Sequence, residues 1–91
     1  MNNSILINKR VKILAVYSDQ DGLANCMPKR MLFRGKEYNF SELGLNHPTA
    51  KGKRMIHVFD MTDGTADYRL EFDAEGLTWT LTYISDSNYA F

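Results

Sequence analysis

A lone cysteine, two histidines, a cluster of aspartates and two basic runs are the parts of this 91-residue chain whose types and spacing suit chemistry. Cys26 and His47 would form a nucleophile and its base if the fold brought them together. No third residue in the sequence is placed to orient that imidazole, so an idle or buried thiol is expected. His57 stands between Met55 and Phe59 on an alternating apolar stretch, the setting of a core-edge histidine rather than of a general base. No catalysis is expected.

Asp60, Asp63 and Asp67 crowd one turn, and the register expected there sets Asp60 opposite Asp67. Like charges so placed cost stability. Relief comes from a divalent cation, from Arg69 on the diagonal, or from splaying into water. Asp19-Gln20-Asp21-Gly22 resembles the start of a calcium loop, but a third oxygen ligand is missing and Arg30 occupies the position of the closing glutamate. No metal and no cofactor are expected.

Lys51-Gly52-Lys53-Arg54 fails as a phosphate-cradling loop, because His47 stands where its first glycine belongs and Arg54 where Ser or Thr belongs. What survives is a set of mobile cations, Lys51, Lys53 and Arg54, able to touch phosphates or simply to be solvated. Lys29, Arg30, Arg34 and Lys36 flank Phe33 and Tyr38, the mixture of cations and rings that single-stranded nucleic acid favours. Whether those rings point in or out is open at this level.

The elements that must position these residues read as β. Over 77–83, Leu77, Trp79, Leu81 and Tyr83 alternate with threonines, and over 68–73 Tyr68, Leu70 and Phe72 alternate with charged residues. A two-residue turn at Asp63-Gly64 would pair Phe59 with Tyr68, His57 with Leu70 and Met55 with Phe72. A link of Asp73-Ala74-Glu75-Gly76 would then set Phe72 against Leu77 and Leu70 against Trp79. A turn at Gly35-Lys36 would pair Arg34 with Glu37 and Phe33 with Tyr38. Residues 5–7 and 11–17 form one long strand or two shorter ones, with Ile13-Leu14-Ala15-Val16-Tyr17 apolar enough for burial on both faces. A turn follows at Asp19-Gln20-Asp21-Gly22, residues 23–28 are a loop stopped by Pro28, and 41–53 is one helical turn followed by loop. Residues 85–91 form a polar tail whose Tyr89 and Phe91 are able to dock on the body. Ile56, Val58, Arg69, Glu71, Thr78, Thr80 and Thr82 fall on the outward face, where Ile56 and Val58 would make an apolar patch for a partner or a second copy.

The expected fold is a single all-β domain over residues 1–91, an antiparallel curled sheet or partly open barrel of five or six strands. Its composition, 44% hydrophobic and 12% aromatic, argues against disorder. One cysteine excludes an internal disulfide framework and a paired-cysteine zinc site. No apolar run approaches a membrane span, and Met1-Asn2-Asn3-Ser4 does not open a signal peptide, so a cytoplasmic protein is expected. Charges total zero but are segregated. Residues 1–54 hold ten basic against four acidic side chains, and residues 55–91 hold one against seven. Such polarity means an anion-binding surface, halves that neutralise each other inside the fold, or copies that associate head to tail.

The order Pro28-x-Arg30-x-x-Phe33-Arg34-Gly35-x-x-Tyr38, then Tyr68-Arg69-Leu70-Glu71-Phe72-Asp73, then Trp79-x-Leu81 with Ile84-x-Asp86, resembles small uncharacterised bacterial β-proteins. A similar layout occurs in C-terminal segments of some Y-family DNA polymerase homologues. The resemblance covers residues 28–86 and implies a compact β-roll or barrel in a nucleic-acid setting. It brings no catalytic residue with it.

The function expected is therefore a non-catalytic interaction module that meets nucleic acid or another anionic partner through Lys29, Arg30, Arg34, Lys36, Lys51, Lys53 and Arg54. The alternative is a protein-binding or self-associating module using a sheet edge or the Ile56/Val58 face.

Overall fold

In the computed structural model, residues 4–20 and 23–86 are described. The Asp21-Gly22 part of the expected turn, the first three residues and the tail from 87 onward lie outside them. Seven strands occur among the described residues: β1 (Ser4–Gln20), β2 (Leu23–Phe33), β3 (Lys36–Asn39), β4 (Glu42–Lys51), β5 (Arg54–Thr62), β6 (Ala66–Asp73) and β7 (Thr78–Asp86). They form one antiparallel sheet in the order β3-β2-β1-β7-β6-β5-β4, curled into a half-barrel. The all-β class and the curl agree with the sequence pattern; the count exceeds the five or six expected. None of the described residues forms a helix long and apolar enough to cross a membrane.

One additional strand and the extension of another come from segments expected to be irregular. Residues 23–28 extend β2 and pair with β1 from Gln20↔Leu23 to Ala15↔Pro28. The segment expected as a helical turn and loop is β4, paired with β5 from Glu42↔Thr62 to Lys51↔Arg54. Its turn-like residues fit because β4 is an edge. Pro48 there has no N–H to offer a further strand, and Gly44 sits where the register shifts. A Cβ at Gly44 would lie 3.3 Å from the Asp60 carbonyl, so glycine permits the close approach.

One long strand and one consecutive strand pair change partners along their length, and the sheet curls there. The first half of β1 pairs with β7 and its second half with β2. Asn8, at φ +52°, sits at the irregularity between Leu6 and Lys9. The β3–β4 run does the same: β3 pairs with β2, β4 pairs with β5, and only Phe40 and Ser41 separate them. At that corner the Phe40 N–H donates to the Lys29 carbonyl (2.9 Å) and the Ser41 N–H to the Thr62 carbonyl (2.8 Å). The β1–β2–β3 part thus folds over the rest, and the core fills the space between.

That core contains Met31, Phe33, Phe40, Phe59, Met61, Tyr68, Leu70, Trp79 and Leu81. Ring pairs tie the two parts together, Tyr38 to Tyr68 at 5.6 Å and Phe40 to Tyr68 at 5.4 Å. Fully buried leucines such as Leu70 and Leu81 contribute about 1.5–3 kcal/mol each.

The three expected hairpin registers are displaced by two residues next to their turns, which keeps parity there. In β6–β7 a bulge between Arg69 and Leu70 then shifts the pairing, so that Tyr83, expected beside Leu81 on the apolar face, pairs with Arg69. Phe59 meets Leu70 and His57 meets Phe72; Phe72 meets Trp79 and Leu70 meets Leu81; Met31 meets Tyr38 and Phe33 meets Lys36. The last hairpin therefore turns at Arg34-Gly35, with φ of +53° and +76°, the pair of positive angles of a type I′ turn. Leu77, expected in the core, instead closes the β6–β7 turn at φ +55° and is 75% exposed.

The outward apolar patch is not found. Ile56 is 6% and Val58 4% exposed. On the outer face Val58 is flanked by His47 and Glu71, and Ile56 by Thr49 and Asp73. Thr82 is buried as well, its hydroxyl donating to the Arg69 carbonyl at 3.1 Å. The reverse error occurs in β1. It lies mid-sheet as expected, yet Leu14, Val16 and Tyr17 are 58%, 50% and 64% exposed; among the described residues, 12–20 pair with β2 alone.

Candidate functional site

Cys26 and His47 are not brought together. Cys26 packs beside the interior cluster, whereas His47 pairs with Val58 and so lies on the outer face. Burial pushes the Cys26 thiol pKa up, against an opposing hydrogen bond with Tyr17. His57 is half-buried between Phe72 and Pro48. No group of three or more His, Cys, Asp or Glu side chains suited to a metal occurs among the described residues.

The aspartates have partners of their own. The two-residue displacement sets Asp60 opposite Arg69 rather than Asp67. The Arg69 guanidinium donates twice to it, at 2.7 and 2.9 Å, a bidentate pair. Asp63 organises the β5–β6 turn. One carboxylate oxygen accepts from the Thr65 N–H (2.8 Å), the Thr65 hydroxyl (2.8 Å) and the Ala66 N–H (2.9 Å), and the other from the Tyr68 phenol (2.6 Å). Partial burial pulls its pKa up, but the Tyr68 phenol and the turn amides outweigh it and hold the carboxyl at about 2. Burial, with the neighbouring Asp63 carboxylate, pushes the Tyr68 phenol well above its ordinary range.

The seven basic residues expected to act together divide into two sets. At the β4–β5 turn, Lys51 pairs with Glu71 at 2.6 Å, and Arg54 with Asp73 at 2.6 Å and Glu75 at 3.8 Å. Lys53 is exposed at the tip of that turn. Here the basic first part of the sequence is neutralised by the acidic second part, one of the three outcomes its charge layout allowed. The carboxylate of Asp73 also accepts the N–H groups of Glu75 and Gly76, so the partner of Arg54 is itself held in place.

The second set surrounds β1, β2 and β3. Lys12 pairs with Leu32 and Leu32 with Glu37; Leu14 pairs with Arg30 and Arg30 with Asn39. These rows share the outer face. A shallow depression of about 320 Å³ is lined by Lys12, Ile13, Leu14, Arg30, Leu32 and Glu37. A second, of about 340 Å³, shares Lys12 and Leu32 and adds Arg10, Val11, Phe33, Arg34 and Gly35. Arg10, Lys12, Arg30 and Arg34 thus converge on one surface around exposed Leu14 and Leu32, with Glu37 as its acid. Arg30 pairs with Glu37 at 2.8 Å and donates to the Asn39 side-chain oxygen at 3.2 Å.

Lys29 is exposed at the bulge where the β1–β2 register shifts. Lys36 belongs to the other side of the hairpin, pairing with inward-facing Phe33 and lying 5.1 Å from the Tyr38 ring centre. The Arg34 guanidinium lies 4.8 Å from the Phe33 ring centre. Both rings face the interior, Phe33 at 8% exposure and Tyr38 against Tyr68, so they offer no stacking platform.

Arg10 and Lys12 were not among the expected residues. Their period-two spacing puts both on one face of a strand. The Asp21-Gly22 dipeptide is a hairpin signal that would have aligned β1 with β2, as Gln20↔Leu23 does. Comparison of the chain with protein-family models, with curated proteins and with solved structures yields no match.

Proposed function

We propose that this chain is a non-catalytic binding module that receives an anionic partner, with nucleic acid as the first candidate, on the outer face of β1–β2–β3. The observation that carries this is the convergence of Arg10, Lys12, Arg30 and Arg34 on adjoining depressions with Glu37 as the acid of that surface. Such a surface neutralises phosphates and releases their counterions. The resemblance of its sequence layout to C-terminal segments of Y-family polymerase homologues makes nucleic acid the partner to try first. With Phe33 and Tyr38 turned inward, contacts would run to the backbone rather than to stacked bases.

The test is binding to fluorescent single- and double-stranded DNA and RNA, titrated from low to physiological salt. Affinity should be weak, about 10⁻⁴–10⁻⁶ M, and should fall steeply as salt rises. Replacing Arg10, Lys12 and Arg30 with alanine should lower the log–log slope by about 2–3, while Lys51→Ala/Lys53→Ala should leave it nearly unchanged. Absence of binding at low salt, or binding indifferent to salt, overturns the proposal.

A second reading, association through a sheet edge, is favoured by one specific observation. Among the described residues, 23–28 of β2 pair with β1 only, which leaves their other edge without a strand, and Val16 and Tyr17 on the neighbouring β1 are exposed. The Ile56/Val58 route to the same end is closed by their burial.

A further inference from the structure

We infer that a partner this cationic face accepts is a second copy of the chain, docked head to tail on an acidic depression at the other end of the sheet. The inference rests on the reading of the β1–β2–β3 face as an anion-receiving surface and names one occupant for it.

The acidic depression, of about 370 Å³, lies where Ser4, Ser85, Asp67, Thr62 and Glu42 form one row across five strands. Glu42 and Asp67 are exposed there; Asp60 lines it too, its charge matched by Arg69. Beside it Leu6, 76% exposed, pairs with Tyr83 of the depression wall. This end of the sheet is therefore acidic with an exposed aliphatic, and the other end is basic with exposed Leu14 and Leu32. The two surfaces match in charge and in apolar content.

Leu6 and Leu14 are eight residues apart on β1, about 26 Å along an extended strand, so one copy cannot bring its own faces together. Neither face suits a two-fold contact with itself. Pairing two cationic faces would set Lys12 and Arg30 against like charges, and pairing two acidic ones would do so with Glu42 and Asp67. Seating the cationic face of one copy on the acidic face of the next opposes unlike charges. A reciprocal two-fold pairing of both faces would oppose them too but would stop at a dimer. A dimer plateau therefore separates it from the heterologous contact inferred, which propagates into a ring or an open chain of copies.

Sedimentation velocity over a concentration series at low and high salt tests this. At low salt the average mass should climb continuously beyond about twice the 10.5 kDa monomer, without a dimer plateau, and should return to monomer as salt screens the contact. Lys12→Glu/Arg30→Glu and Glu42→Lys/Asp67→Lys should each be monomeric and folded, and mixing the two variants should restore association. A monomer at every concentration in low salt overturns the inference. So does association that survives either variant or high salt, which would indicate pairing at the β2 edge. Oligonucleotide binding by a strictly monomeric chain would sink this inference and keep the proposed function. Association without oligonucleotide binding would do the reverse for nucleic acid.

Discussion

Two outer faces of one sheet treat the same ingredients differently. On β4–β5–β6, Ile56 and Val58 point away from the core yet are 6% and 4% exposed. On β1–β2, Leu14 and Leu32 also point away from the core and are 58% and 43% exposed. The difference lies in the charged neighbours. Lys51 and Arg54 find Glu71 and Asp73 on a nearby strand, and those two acids stand directly opposite Val58 and Ile56. Around Leu14 and Leu32 the acid Glu37 pairs with Arg30, and Arg10, Lys12 and Arg34 outnumber it on that surface. Complementary charge brought into register makes an outer face self-contained; an excess of one sign leaves a surface for another molecule.

The contrast breaks most easily at its apolar residues. Val58→Ser should cost about 2–3 kcal/mol, since it strips a buried methyl pair and buries a hydroxyl in its place. Leu14→Ser, on the cationic face, should change stability by no more than about 0.5 kcal/mol. Urea unfolding measures both, and equal losses would mean the two faces do not differ as described.

Acid sharpens the contrast, because ordered carboxylates occur on the paired side. Asp63 has a folded pKa of about 2, below the unfolded value of about 3.9, so its stabilisation is present above about pH 4 and lost as pH falls towards 2. Asp63→Asn should cost about 1–2 kcal/mol at neutral pH and should reduce the fall in the urea midpoint between about pH 4 and 2. An unchanged acid limb would remove Asp63 from the account.

The smallest effect is expected at the tip of the cationic hairpin. Arg34 holds φ +53° before Gly35, a conformation that asparagine tolerates better. Arg34→Asn should raise stability by about 0.5–1 kcal/mol while removing one cation from the binding face. A thermal midpoint that falls would contradict the turn assignment.

Alternation by itself determined the β class and the face on which Phe59, Tyr68, Leu70, Trp79 and Leu81 lie, because a strand sends successive side chains to opposite sides. That is why a two-residue displacement in three hairpins left those core assignments intact: parity survives any even shift. It does not protect the identity of partners. Asp60 met Arg69 and Arg30 met Glu37 only once turn geometry had chosen among registers of equal parity. The cation set also had to wait for the fold. Arg10 and Lys12 reach Arg30 and Arg34 through pairing of β1 with β2, and Lys51 and Arg54 leave that set by meeting acids from β6 and the turn after it. Local pattern decides which side a residue faces. Which charge meets which is decided by strand order and register, because an ion pair acts over a few ångströms while its two residues stand some twenty apart along the chain.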